Sequence, residues 1–168
     1  VIASSDILLT IHTPDAAETA SFRSKILIGV YQPLYNTGVM KEWAGADISS
    51  FSLDMLPRTT RAQVMDVLSS QANIAGYKAV LMAANTYQKF FPMLMTAAGT
   101  VKAARVLILG AGVAGLQAIA TAKRLGAVVE AFDVRPVAKE QVESLGAKFI
   151  EVPLSDEEKA KAETAGGY

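Results

Sequence analysis

The fold is decided by residues 104–133, which read ARVLILGAGVAGLQAIATAKRLGAVVEAFD. An apolar run precedes Gly110, Gly112 and Gly115, and an alanine- and leucine-rich segment follows the last of these glycines. A second apolar run then ends at Asp133. This succession predicts a strand, a glycine turn, a helix and a second strand.

The spacing of the glycines indicates a dinucleotide site. Gly110 would allow the tight turn, Gly112 the close approach of a pyrophosphate, and Gly115 the packing of the helix near the strand. The helix N-terminus would offer its N–H groups to the anion. Asp133 lies about 20 residues after the first glycine, where a carboxylate binds the adenosine ribose hydroxyls. The other predicted contacts, all beside these glycines or this acid, are Val113, Ala114 and Val134.

Asp133 also favours NAD(H) over NADP(H), because a carboxylate accepts a hydrogen bond from a 2′-hydroxyl and repels a 2′-phosphate. Arg135, two residues further on, is the alternative selector, since an arginine there is able to hold a phosphate. A solvated or adenine-stacking side chain is the other interpretation of Arg135. We include Arg135 among the predicted cofactor-binding residues and leave its role open.

Composition excludes several kinds of partner and chemistry. The 168 residues, 51% of them hydrophobic, supply a core for one domain of ordinary size or for parts of two. Lys+Arg and Asp+Glu both number 16, so charge indicates neither nucleic acid nor a membrane surface as partner. Cysteine is absent, which excludes disulfides and thiolate chemistry and is typical of a reducing compartment. We predict no metal site, and His12, the only histidine, is expected to have a structural or solvated role rather than a catalytic one.

The most apolar long region, residues 79–101, is too often interrupted to span a membrane. Asn85, Gln88, Lys89 and Pro92 break it, so it falls short of the ~18 consecutive apolar residues that a span requires. We therefore expect no direct membrane insertion.

Apolar runs in the N-terminal region predict a first parallel sheet. They cover residues 7–11, 26–31 and 48–55. The distance between successive runs leaves room for connecting helices, which is typical of an α/β region.

A long helix is predicted to follow this region. Thr59 or Thr60 would cap it, and its apolar positions recur at helical spacing as far as Phe90. Gly76 and Pro92 are its predicted weak points or boundaries. The segment after it, 95–102, is expected to be a loop that leads into the next strand.

An internal repeat predicts how the chain continues after Asp133. Leu-Gly-Ala occurs at 125–127 and again at 145–147, each time before an apolar pair. Gly126 and Gly146 stand where a helix C-terminus needs a left-handed residue. The pattern predicts a βαβαβ unit, followed by a charged tail over 155–163 that would be an exposed helix or loop.

The predicted fold class is therefore α/β, with two Rossmann-like parallel-sheet regions joined by a long helix and both incomplete. We divide the chain into the C-terminal part of a first α/β region (1–57), a nicotinamide-side loop with the connecting helix (58–102), and the first βαβαβ half of a nucleotide-binding region (103–168). The chain lacks an initiating Met and stops after three strands of this second sheet. We expect it to belong to a longer protein.

Three segments carry a resemblance to a known family. They are LPRTTRAQVMDVLSSQANIAGYKAV (56–80), LMTAAGTV (94–101) and GAGVAGLQAIATAKRLGAVVEAFDVRPVAKEQVESLGAKF (110–149). Together they closely resemble the NAD(H)-binding domain, domain I of the bacterial alpha subunit, of proton-translocating NAD(P) transhydrogenase. This resemblance is much more specific than a glycine fingerprint alone.

The resemblance implies an activity and a set of partners. NADH bound here would pass a hydride to NADP+ on an NADP(H)-binding partner domain, and a membrane domain would couple this transfer to proton translocation. It also implies a homodimer. The domain would lie at the cytoplasmic face of a bacterial inner membrane or, alternatively, at the matrix face of the mitochondrial inner membrane.

The resemblance also assigns residues near the start of the predicted long helix. It implies that Arg58, Asp66 and Ser69 orient the nicotinamide end of NAD(H), and that Gln63 reaches toward the NADP(H) of the partner domain. By residue type alone these would be ordinary surface side chains. The negative charge of Asp66 would only stabilise the start of the helix by interacting with the helix dipole. Direct hydride transfer would explain why the sequence shows few candidates for general acid–base catalysis. For such a transfer the protein has to align two nicotinamide rings and exclude water.

Two other functions are compatible with parts of this pattern. Alanine dehydrogenase has a similar plan, but its resemblance would require a catalytic His just after the strand at 26–31, where this chain has Gln32 and Pro33. A module that binds NAD without turning it over is the second, since many nucleotide folds do only that. Arg58, Gln63 and Asp66 argue against it, because a sensor needs no groups at the nicotinamide end.

Overall fold

A computed structural model describes residues 2–57 and 59–152 of the chain. Arg58 and the charged tail predicted at 155–163 lie outside the described residues. The chain divides into two compact units, Val1–Leu68 and Ser69–Tyr168. Within the described residues no helix is long and apolar enough to cross a membrane.

The first unit is built on a three-stranded parallel sheet, as the apolar runs predict. Its strands are β1 (Ile7–Leu9), β2 (Ile26–Gly29) and β3 (Ser49–Ser52), in the order β1-β2-β3. Helix α1 (Thr37–Gly45) connects β2 to β3, and a 3₁₀ segment, Ala16–Phe22, connects β1 to β2. The three strands pair in parallel and helical segments connect them. The predicted α/β region is therefore confirmed.

The core of the first unit centres on two aromatic side chains. Tyr31 and Trp43 are both almost fully buried and meet edge to face, with ring centroids 5.0 Å apart. The Tyr31 hydroxyl lies 2.8 Å from Thr10 Oγ1, so the polar end of this buried ring has a partner. Leu27, from the central strand, belongs to the same core.

The long helix starts later than the sequence predicts. Helix α2 spans Val67–Thr86, so neither Thr59 nor Thr60 caps it. Residues 59–66 instead form turns, in which the Ala62 N–H donates to the Thr59 carbonyl at 3.0 Å. Asp66 has ψ of 83°, which is outside the helical region and separates these turns from α2.

Gly76 is not a boundary of the long helix. It lies inside α2 and is buried against the helix Val113–Arg124, and a Cβ placed on it would come within 3.0 Å of the Ala114 carbonyl carbon and oxygen. The absence of a side chain therefore lets the two helices of the second unit approach closely.

The predicted loop at 95–102 is also wrong, because it contains a hairpin. Strands β4 (Leu94–Thr96) and β5 (Gly99–Val101) pair antiparallel. Each has only three residues, and no Asn-Gly or Asp-Gly turn lies between them to indicate it.

The remainder of the second unit follows the predicted βαβαβ order. Strands β6 (Arg105–Leu109), β7 (Val128–Phe132) and β8 (Lys148–Phe149) form a parallel sheet in that order. Helices α3 (Val113–Arg124) and α4 (Ala138–Ser144) connect them.

The ends of these two helices confirm the prediction from the internal repeat. Gly126 has φ of +87° and Gly146 has φ of +77°, the left-handed conformation expected just after each helix. Small side chains, mostly alanines, make up much of the core of this unit, and Phe91 and Ile119 are its largest members. These packed elements fix the turn between β6 and α3.

Candidate functional site

Three glycines lie in the turn between β6 and α3 or in the first turn of α3, and they differ in what the fold demands of them. Gly110 has φ of +92°, which a residue with a side chain rarely adopts. A Cβ on Gly115 would lie within 3.0 Å of the Gly110 carbonyl, so a side chain there would collide with the turn itself. Gly110 is therefore needed by the backbone conformation of the turn, and Gly115 by the packing of α3 on it.

Gly112 is different, because no contact among the described residues requires a glycine there. Its φ of −77° and ψ of −165° are open to any residue, and a Cβ on it would meet no atom within 4 Å. It directly precedes α3, whose first N–H groups have no partner within the helix. The turn therefore offers open space beside a helix N-terminus, which suits a ligand that carries negative charge.

Asp133 follows β7 and is drawn into the same turn. One carboxylate oxygen, Oδ2, accepts from the Ala111 N–H at 2.6 Å. The other, Oδ1, accepts from the Arg135 N–H at 2.8 Å. The Arg135 guanidinium donates to both oxygens, from Nε to Oδ1 at 3.0 Å and from Nη2 to Oδ2 at 3.1 Å.

These partners determine the charge state of the acid. Burial by itself would raise the pKa of Asp133, but the hydrogen bonds from Arg135 and from the Ala111 N–H outweigh it and lower the pKa from 3.8 to about 2. Asp133 is therefore a carboxylate at any physiological pH, held at the C-terminal end of a parallel strand.

The lowered pKa predicts a specific loss of stability in acid. Because the folded state prefers the charged form, this stability is fully present above about pH 5 and disappears as the pH falls through about 4 toward 2. The shift corresponds to about 2 kcal/mol. The free energy of unfolding of the intact protein, measured by urea denaturation between pH 7 and pH 2, checks this prediction.

Replacing Asp133→Asn should lower stability at neutral pH and flatten this part of the acid dependence. Asp47→Asn is the matched control, since Asp47 is exposed and lies in the other unit. Equal acid dependence in wild type and Asp133→Asn would show that the charge of Asp133 does not stabilise the fold.

A cavity of about 320 Å³ in the first unit brings together two of the residues assigned by resemblance. Gln63 and Asp66 both line it, and they lie at the two ends of the 3₁₀ turn that precedes α2, where the Asp66 N–H donates to the Gln63 carbonyl at 3.2 Å. Ser69 lies in the first turn of α2 and is not among the lining residues. The polar lining residues are Asp54, Thr59, Thr60, Gln63 and Asp66.

The remaining predicted residues lie around the glycine turn. Val113 begins α3, and Val134, half exposed, stands between Asp133 and Arg135. Ala114 has its carbonyl against Gly76, so its backbone serves helix packing. Within the described part of the chain no cluster of three or more His, Cys, Asp or Glu could hold a metal ion.

Sequence reasoning missed two residues of these sites. Ala111 donates its N–H to Asp133, and its position between the first two glycines was the available signal. Asp54 lines the cavity of the first unit, where its Oδ1 accepts from the Tyr31 N–H at 3.3 Å and from the Ser52 hydroxyl. No motif in the sequence identifies Asp54, because one of its two partners, Tyr31, lies 23 residues away, beyond the end of the neighbouring strand β2.

A parallel sheet with a glycine turn, a helix N-terminus and a carboxylate after the next strand defines the class of α/β proteins with a Rossmann-like nucleotide fold. The family described as alanine dehydrogenase/PNT matches this chain in two stretches, its N-terminal domain over residues 1–75 and its C-terminal domain over residues 79–166. The chain belongs to this family.

Relatives and solved structures agree with this assignment. The chain is 59% identical over 135 residues to an NAD(P) transhydrogenase subunit alpha protein of Rhodospirillum rubrum, a match that covers 80% of this chain and 35% of that protein. A crystal structure of transhydrogenase from Sinorhizobium meliloti superposes with a TM-score of 0.85 at 55% identity, covering 89% of this chain and 46% of the other. The family resemblance found in the sequence is thereby confirmed.

An L-alanine dehydrogenase structure also superposes, with a TM-score of 0.71 at 21% identity, covering 90% of this chain and 43% of that one. Identity at this level shows a shared fold and nothing more. The chain spans about a third to a half of the length of these matched proteins.

Proposed function

We propose that this chain is the NAD(H)-binding part of a proton-translocating NAD(P) transhydrogenase. The observation that carries the proposal is the cavity that Gln63 and Asp66 line together, in a chain 59% identical to a transhydrogenase alpha subunit. A fold that only sensed NAD would need the glycine turn and Asp133 but would not need this second polar site.

The residues of the second unit fit NAD(H). Gly112 leaves room beside the N-terminus of α3 for a pyrophosphate, and Asp133 is a permanent carboxylate at the strand end where an acid of this fold binds the ribose hydroxyls. The same negative charge disfavours a 2′-phosphate, so NAD(H) is the cofactor of this chain and NADP(H) that of a partner. The full proposed set on this side is Gly110, Gly112, Val113, Ala114, Gly115, Asp133, Val134 and Arg135.

At the nicotinamide end of the cofactor, the role of this chain is to orient the ring. NADH, when bound, supplies the hydride. Arg58, Asp66 and Ser69 hold the nicotinamide end in place, and Gln63 faces the NADP(H) of the partner. Positioning and water exclusion are sufficient for such a transfer, because it needs no protein proton donor.

The proposal includes an assembly. An NADP(H)-binding domain accepts the hydride, a membrane domain couples the transfer to proton movement, and the NAD(H)-binding part forms a homodimer. This part lies at the cytoplasmic face of a bacterial inner membrane, with the mitochondrial matrix as the alternative. Functionally the chain divides at 57/58 and 102/103, so that the nicotinamide-side loop and α2 form one segment.

A hydride-transfer assay tests this function. The intact protein is mixed with NADH and an NADP+-loaded partner domain, and NADPH formation is followed in parallel with NADH and NADPH binding. We expect hydride transfer and at least about tenfold tighter binding of NADH, equivalent to ~1.4 kcal/mol. Binding of NADH without transfer would identify a sensor, and oxidation of NADH by pyruvate and ammonia would identify an alanine dehydrogenase.

The role of Gln63 gives a sharper prediction. Replacing Gln63→Ala should slow hydride transfer about tenfold or more while changing the Kd of NADH less than about twofold, because its proposed contact is with the partner's cofactor. Stopped-flow transfer rates and fluorescence titration measure the two quantities. Gln71→Ala is the matched control, since Gln71 is exposed on α2 and does not line the cavity. Equal losses in rate and affinity would assign Gln63 to the NADH site instead.

A further inference from the structure

The carboxylate of Asp133 has no capacity left for another hydrogen-bond donor. An ionised carboxylate has two oxygens and about four lone-pair positions. Each oxygen of Asp133 already accepts two N–H groups, Oδ2 from Ala111 and Arg135 Nη2, and Oδ1 from the backbone and Nε of Arg135. The Asp133 side chain is also only 6% exposed, so a ribose hydroxyl has no open approach to it.

The four donors differ in their freedom to move. The Ala111 N–H belongs to the glycine turn, which the contact between Gly115 and Gly110 holds in place. The Arg135 N–H is part of the backbone that leaves β7. The guanidinium, in contrast, stands at the end of a flexible side chain that is 30% exposed. Of these donors, it is the group that is able to leave while the fold stays intact.

We propose that the Arg135 side chain is a latch on this site: it closes the Asp133 carboxylate in the free protein and withdraws when the ribose of a dinucleotide binds. The proposal rests on the proposed function, because it takes the NAD(H) ribose as the group that replaces the guanidinium. The vicinal hydroxyls of a ribose present two donors, which match the two positions that Nε and Nη2 vacate. Arg135 therefore sets the affinity of the site without contributing to the chemistry.

The latch makes binding weaker than the open site alone would allow. The apparent Kd equals the Kd of the open form divided by the fraction of molecules that are open, so a site open about a tenth of the time binds about ten times more weakly. Removing the guanidinium removes the closed form. It also leaves a buried carboxylate short of two donors, a deficit that ribose hydroxyls remove on binding.

The test replaces Arg135→Met in the intact protein, since methionine keeps much of the side-chain stem but has no N–H group. We expect NADH to bind about tenfold more tightly and the free variant to melt at a lower temperature than wild type. Arg105→Met is the matched control: Arg105 also pairs with a carboxylate of the same sheet, that of Glu130 at 3.0 Å, but well away from the glycine turn. This control should leave the Kd unchanged.

A second measurement does not depend on the stability of that variant. In wild type, the Nε–H proton of Arg135, assigned by comparison with Arg135→Lys, should exchange slowly with water in the free protein and faster at saturating NADH. An unchanged exchange rate, or NADH binding that is equal or weaker in Arg135→Met, overturns the latch while leaving NADH binding intact. If wild type binds no NADH at all, the proposed function itself fails and this inference fails with it.

Discussion

Replacing Gly115→Ala is expected to destabilise the second unit severely. The added Cβ would lie within 3.0 Å of the Gly110 carbonyl oxygen and 2.8 Å from its carbon. These are backbone atoms of the turn, which have to shift together with α3, unlike the end of a flexible side chain. We expect a loss of about 3 kcal/mol or more, seen as a fall in Tm on the order of 10 °C.

Thermal unfolding of the intact protein followed by circular dichroism measures this effect. Gly38→Ala serves as the control, because Gly38 lies in α1 and a Cβ on it meets nothing within 4 Å. That variant should keep or slightly raise the Tm, since alanine is the better helix former. If Gly115→Ala also kept the Tm, the close packing of α3 on the glycine turn would be wrong.

The βαβαβ part of the second unit was predictable from the sequence because its signals are local. The apolar runs of β6 and β7, the glycine turn, and Gly126 and Gly146 after the helices each fix a few neighbouring residues. Each of these local preferences agrees with the same βαβαβ order, so together they were sufficient to predict the fold. Parallel pairing in the first unit followed in the same way from widely spaced apolar runs.

The errors fall where one local signal has two meanings. Thr59 and Thr60 are suitable helix caps, yet the same residues are equally suited to turns, and the chain uses them in turns. Gly76 weakens a helix by propensity, but its close contact with Ala114 decides its role. That contact joins residues far apart in sequence, so no pattern within α2 reveals it.

In the candidate site, too, the features that depend on local sequence were predicted and those that depend on contacts between distant residues or on rotamers were not. Asp133 and the glycines were identified because their chemistry depends on spacing along one chain segment. The sequence could not predict that the carboxylate of Asp133 already has all its hydrogen-bond acceptor positions filled. This depends on the side-chain rotamer of Arg135 and on the Ala111 N–H, which comes from the end of another strand. The sequence did not decide whether Arg135 holds a phosphate or is a solvated or adenine-stacking side chain. In the structure it forms an ion pair with Asp133.

Replacing Gly112→Val should abolish most NADH binding without destabilising the protein. The Cβ of that valine would have no described atom within 4 Å apart from its chain neighbours, so we expect the folded state to accept the side chain. The proposed pyrophosphate needs that same space beside the N-terminus of α3. We expect the Kd of NADH to rise by about 100-fold or more, equivalent to ~3 kcal/mol, while the Tm changes by less than a few degrees.

The contrast between Gly112 and Gly115 separates ligand space from protein packing. Gly112 directly precedes α3 and Gly115 lies in its first turn, three residues on, yet only the side chain added at 115 meets the backbone. Gly112→Val should therefore lose binding with its stability kept, whereas Gly115→Ala should lose stability first. Fluorescence titration and thermal unfolding on the two variants give both quantities. If Gly112→Val bound NADH as wild type does, the pyrophosphate would not lie at this turn, and the proposed cofactor site would be wrong even with Asp133 correctly described.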